Sequence, residues 1–143
     1  MPYKYLEEIA TADVAFEAWG KTIEELFSAA VDATTNIMVE ELSSVERRES
    51  LDISLDNPEL DILLYNLLNE LVYLKDARRL LLRADRITVE KKGSGFRLLA
   101  KMSGEALNPA KHPLKVDIKA VTLHRLSVKE MPEGWRATVV LDI

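Results

Sequence analysis

Apolar and polar positions alternate with a period of two over most of this chain, and two stretches break that rhythm with a helical period. "YKYLEE" at 3–8 and "VAFEAWG" at 14–20 read as strands; in the second, Val14, Phe16 and Ala18 share a face and Gly20 ends the pattern. "KTIEELFSAAVDATTNIMV" follows with Ile23, Leu26, Phe27, Ala30, Val31 and Ile37 in one apolar stripe, which predicts a helix. Thr22 is placed to cap it, and Glu25 three residues on completes a capping-box pattern. "ERRESLDISL" returns to period two with Leu51, Ile53 and Leu55 inward. In "DNPELDILLYNLLNELVYL" Asn57 can cap and Pro58 suits the first helical position. Nine residues there, from Leu60 to Leu74, are leucine, isoleucine or valine and cover more than half of the helix circumference. Such a helix lies centrally or is covered by more than one layer.

The rest is strand-like. "DRITVEKKGSGFRLLAKMSGEAL" predicts a hairpin turning at Gly93-Ser94-Gly95. "VDIKAVTLHRLSVKEM" alternates as one strand, with Val116, Ile118, Ala120, Thr122, His124, Leu126 and Val128 on one face. "PEGW" makes a turn, and "ATVVLDI" is a terminal strand with Ala137, Val139, Leu141 and Ile143 on one side. The order β-β-α-β-α-β-β-β-β predicts an α+β fold: a single domain over residues 1–143, with two helices packed on a largely antiparallel or mixed sheet.

Composition narrows the chemistry. The 143 residues are 48% apolar and 30% charged, an ordinary balance for a domain with its own core. The absence of cysteine removes thiol nucleophiles, disulfides and thiolate metal sites, and fits a cytoplasmic setting. The N-terminal stretch lacks the apolar region of a signal peptide, and charges interrupt every apolar run short of a membrane span. A net charge of −5 disfavours a nonspecific nucleic-acid binder.

Catalytic machinery is scarce. His112 and His124 are not spaced as a metal pair, "GSG" is a turn rather than a phosphate loop, and no G-x-S-x-G stretch occurs. His124 reads as a hydrogen-bonded core histidine, and His112, in "NPAKHPLK", as a solvent-exposed loop residue. Arg78-Arg79 and Lys91-Lys92 read as solvated faces or turn flanks.

Two acidic spots stand apart: Asp13, where "ATADV" enters a strand, and Asp142 beside the α-carboxylate of Ile143. Each taken alone reads as solvated. If the two strands were neighbours, three anionic groups would converge, and like charges held together call for a cation. A set of hard oxygens without Cys or His favours calcium or magnesium over zinc or copper.

Four stretches, in order, resemble the archease family: "ATADVAFEAWGKTIEELF", "LLYNLLNELVYL", "NPAKHPLKVDIKAVTLHRLSV" and the ending "VVLDI". The resemblance covers essentially the whole chain. It implies an accessory protein rather than an enzyme, with no catalytic residue of its own. Its partner would be the RtcB-type RNA ligase of tRNA splicing, whose guanylylation and multiple turnover it promotes; RNA would be met only through the ligase. It also implies a divalent ion held by Asp13, Asp142 and Ile143. Two positions depart from the family pattern: Ala10 stands where the motif has histidine, and Leu123 where tyrosine is frequent. Two other functions compete. A metal-dependent hydrolase could use Asp13 and Asp142, but no general base or nucleophile can be named beside them. A general chaperone or assembly factor gripping clients with an apolar helix face would need a large exposed apolar patch.

Overall fold

A computed structural model describes residues 2–6 and 12–143. Ala10, and with it the substituted motif position, lies outside the described residues, as does the end of the first expected strand. The elements run β1 (Tyr3–Tyr5), β2 (Asp13–Gly20), α1 (Ile23–Met38), β3 (Glu49–Asn57), α2 (Leu60–Arg78), β4 (Leu80–Lys92), β5 (Gly95–Ala106), β6 (Ala120–Val121), β7 (Ser127–Met131) and β8 (Gly134–Asp142). A short 3-10 turn, Leu42–Ser44, precedes β3.

The strands form two antiparallel sheets rather than one. The first has the order β1-β2-β8-β6, with β7 also pairing β8; the second is β3-β5-β4. Both helices are inner elements. α1 packs on β2 of the first sheet and on β4 of the second, and α2 on β3, β4 and β6. This explains why α1 buries small residues almost all round, among them Ala29, Ala30 and Ala33, and why α2 buries Leu63, Leu64, Leu67, Leu68 and Leu71 on a broad face. One apolar core joins the layers. Most apolar residues of α2 are thus taken up inside the fold, while Leu60 and Ile62 stay half-buried and Tyr73 is exposed.

Local rules account for the helix ends. Thr22 Oγ1 accepts from Glu25 N at 3.1 Å, and Glu25 Oε2 accepts from Lys21 N at 2.8 Å, a capping box whose return bond falls one residue early. α2 begins later than the sequence suggests: Asn57 Oδ1 accepts from Glu59 N in a turn ahead of the helix, whose N-cap is Glu59. The expected hairpin is β4–β5, with Lys92 opposite Gly95 and Gly93 at φ 61° as the first residue of a two-residue turn.

The expected long strand over 116–131 is a correction. Only Ala120–Val121 and Ser127–Met131 pair with β8, and residues 122–126 form an excursion between them. Thr122 Oγ1 bonds the Val140 carbonyl and Arg125 takes a left-handed φ of 55°. His124, expected in the core, is therefore exposed.

Candidate functional site

β2 and β8 pair antiparallel along their full length, and the register sets Asp13 opposite Asp142, Val14 opposite Leu141 and Phe16 opposite Val139. Phe16, Val139 and Leu141 belong to the core. Alternation then places Asp13 and Asp142 together on the other face of the sheet. Ile143 N–H donates to the Ala12 carbonyl at 2.8 Å. The neighbouring Asp13–Asp142 pair is consequently of the non-hydrogen-bonded kind, in which Cα atoms stand about 4.5 Å apart and side chains are closest. The condition that the sequence left open is met: the strand bearing Asp13 and the strand bearing Asp142 are neighbours.

The third group arrives by the same pairing. The Ile143 side chain packs against the core, and its backbone continues the β2–β8 pairing one residue beyond Asp142. On the other side of β8, Lys119 N–H donates to the Asp142 carbonyl at 2.8 Å, and Ala120 is the register partner of Asp142. Asp142 is thus held in the sheet from both sides. All three residues are half-buried, open to solvent on one side. Among the described residues no three His, Cys, Asp or Glu side chains gather into a metal-binding cluster. The register brings two carboxylate side chains together on one face. Oxygen donors so placed would suit a hard cation that completes its shell with water or a partner's oxygen. Neither histidine is near enough in the chain pairing to join it.

The segment that flanks Asp142 is anchored by a residue that the sequence reading did not single out. Lys75, in the last turn of α2, is 6% exposed. Its Nζ donates to the Ile118 carbonyl at 2.9 Å and pairs with Asp117 and Asp76. Burial alone would lower its pKa, but the two carboxylates outweigh burial and raise it. The signal was present in the sequence: a lysine inside an otherwise apolar helical face must find carboxylates or a carbonyl.

A second buried network corrects the expectation for His112, which is fully buried rather than exposed. Its Nδ1 accepts from Asn108 N at 2.9 Å, so the proton sits on Nε2, which donates to Glu105 Oε2 at 3.0 Å. Glu105 also receives Lys111 Nζ at 2.8 Å and Glu46 N at 2.7 Å. Burial pushes the Glu105 carboxyl up, but these donors together hold it down at about 2. The network fastens the 107–114 loop over β5, and the first sheet's acidic pair lies outside it. Arg78 and Lys92 make exposed ion pairs with Glu49 and Asp56, as surface residues do.

Comparison with known proteins places this architecture. The model of the Archease protein family (MTH1598/TM1083) matches residues 3–143. Protein archease of Pyrococcus abyssi is 36% identical over 134 residues, 93% of this chain and 94% of that protein. Protein archease of Methanosarcina mazei is 37% identical over 144 residues, 99% of this chain and 95% of that protein. Among solved structures, Methanobacterium thermoautotrophicum protein 1598 superposes with a TM-score of 0.85 at 27% identity, with 99% of both chains covered. An archease from Thermotoga maritima, described as a possible chaperone, shares the fold with a TM-score of 0.58 at 21% identity over 96% of this chain and 97% of that one. With the family model spanning nearly every residue and relatives above one-third identity along almost their whole length, the chain belongs to the archease family.

Proposed function

We propose that this protein is an accessory factor of an RtcB-type tRNA-splicing RNA ligase, and that it promotes the ligase's guanylylation through a divalent cation held by Asp13, Asp142 and the α-carboxylate of Ile143. Family membership supports the accessory role. The observation that carries the cation is the register that sets Asp13 opposite Asp142, with Ile143 bonded to Ala12 beside them. Two carboxylates on one face of a sheet repel each other unless a cation lies between them. Calcium suits an oxygen-only set of this kind, and magnesium is the alternative.

The bound ion would supply positive charge and an open coordination position at the end of the β2–β8 pair. The chain's own contribution is to hold the oxygens in place: β2 fixes Asp13, and the bonds from Lys119 and Ile143 fix the two ends of Asp142. Among the described residues neither a nucleophile nor a general base accompanies the pair, so we assign the protein no hydrolysis of its own; the chemistry belongs to the ligase. The protein meets RNA only through that partner, in the cytoplasm, where its charge of −5 is no obstacle. The test is transfer of GMP from labelled GTP to the ligase of the same organism. Added protein should increase the guanylylated fraction and permit multiple turnovers. An active ligase that shows no change at any protein ratio overturns the reading.

A further inference from the structure

At the opposite end of the β2–β8 pair from the acidic site, the molecule has a cleft of about 880 Å³. Seven residue steps along β2 separate the two, a distance of roughly 23 Å at about 3.3 Å per residue. Both tryptophans of the chain line it: Trp19, 36% exposed, and Trp135, which packs on the core with one side. The floor depends on two glycines. Gly134 lies so close to Gly20 that a Cβ there would stand 2.4 Å from the Gly20 carbonyl oxygen, and a Cβ on Gly20 would stand 2.5 Å from Leu26 N. The backbone is closed up at this corner, and the register, with Trp19 opposite Arg136 and Gly20 opposite Trp135, sends the two indoles to opposite faces of the strand pair, so that the cleft wraps around its end.

The charge around the indoles is one-sided. Glu17 is paired with Lys4 and Arg136, and Asp32 with Arg83. Glu24, Glu25 and Glu133 also line the cleft and have no cation within 4.0 Å among the described residues. Glu24 and Glu25, in the first turn of α1, accept from the backbone N–H groups of Val89 and Lys21, partners that stabilise the carboxylates without cancelling their net charge. Lys21 is the one lining cation outside the ion pairs.

We propose that this cleft is a docking site for a basic segment of a partner protein, which places an arginine or lysine against an indole face within reach of carboxylates that have no cationic side-chain partner. The volume is in the range of clefts that take a whole small ligand, enough for more than one side chain of a peptide. Indole faces attract cations, guanidinium above all, and partly desolvated carboxylates add to the attraction. Nucleic acid fits poorly, because its phosphates would meet uncompensated negative charge. The site is separate from the Asp13–Asp142 pair, so it provides the partner with a hold that leaves the acidic end free. It stands whether or not a metal binds there.

With only two tryptophans in the chain, their indole N–H signals in a 15N-correlated NMR spectrum report on this cleft alone. Trp19→Phe assigns them. The probe is an acetylated and amidated Gly-Arg-Gly-Arg-Gly peptide; its glutamate counterpart and a single-stranded oligouridylate serve as comparisons. The arginine peptide should shift both indole signals and lose affinity with rising salt. The double variant Glu24→Gln/Glu133→Gln should weaken it at least about three-fold. The charge-matched control Asp52→Asn/Glu59→Gln, away from the cleft, should leave it unchanged. Equal weakening by the control, indole signals that do not move, or shifts produced by the oligouridylate instead would each overturn the proposal.

Discussion

Lys75 on α2 and Ile118 in the segment before β6 are joined by a buried hydrogen bond from Nζ to the backbone carbonyl, 2.9 Å long. The next residue, Lys119, holds the Asp142 carbonyl through its own N–H. A helix in the middle of the molecule is thereby tied, through two consecutive residues, to the strand that carries Asp142.

Lys75→Met should destabilise the protein by about 1–3 kcal/mol, since it leaves a buried carbonyl without its donor while Asp117 and Asp76, both exposed, are rehydrated. Urea unfolding at neutral pH measures this. A change under about 0.5 kcal/mol, the range of ordinary surface substitutions, would mean that water replaces the ammonium without loss.

Glu105 should give the stability curve an acid limb. Its carboxyl is held at about 2 in the folded protein, below the ordinary value of 4.5. A group depressed in the folded state contributes fully above its unfolded pKa, and that contribution fades as pH falls from about 4.5 through about 2. Glu105→Gln should therefore be less stable than the parent at neutral pH, and the difference should shrink as pH falls through this window. Urea midpoints at pH 7 and pH 3 show it; a gap that is constant or wider at pH 3 would contradict the network.

Gly104 tests the close approach of β5 to β4. A Cβ there would lie 1.7 Å from the Leu81 carbonyl oxygen, which no rotamer change relieves because the obstacle is backbone. Gly104→Ala should cost about 3 kcal/mol or more, as strands have to move apart. Thermal unfolding of the variant checks it, and a Tm within a few degrees of the parent would show that the sheet yields.

Much of this fold could be read in the sequence because the relevant forces act over short distances. The helical stripe of Ile23, Leu26, Phe27 and Ala30 and the Thr22–Glu25 cap are decided within one or two turns, and both appear in the structure. The α2 residues Leu63 to Leu74 read as doubly covered, and they lie between two sheets. Side-chain contacts within irregular loops, and pairings distant along the chain, were not legible. His112 is buried because Glu105 and Asn108 satisfy both ring nitrogens, and neither bond leaves a periodic trace. His124 follows the alternation of its neighbours, yet the bond from Thr122 to Val140 and the left-handed Arg125 take the chain out of the sheet there. The acidic pair falls between these cases: Asp13 and Asp142 could be named, while their adjacency needed the β2–β8 register, a long-range property.

Titration of the protein with calcium, followed by isothermal calorimetry, tests the central claim most directly. The account predicts one ion per chain. Affinity should fall at least about ten-fold in Asp13→Asn and in Asp142→Asn, with urea midpoints near the parent's because Val14, Val139 and Leu141 still pack. Extending the chain past Ile143 with a tag should weaken binding as well, by moving the α-carboxylate. Magnesium in place of calcium would revise only the identity of the ion. Binding of either ion that is equally strong in the parent and both asparagine variants, or absent from the parent, would contradict a cation site at Asp13 and Asp142.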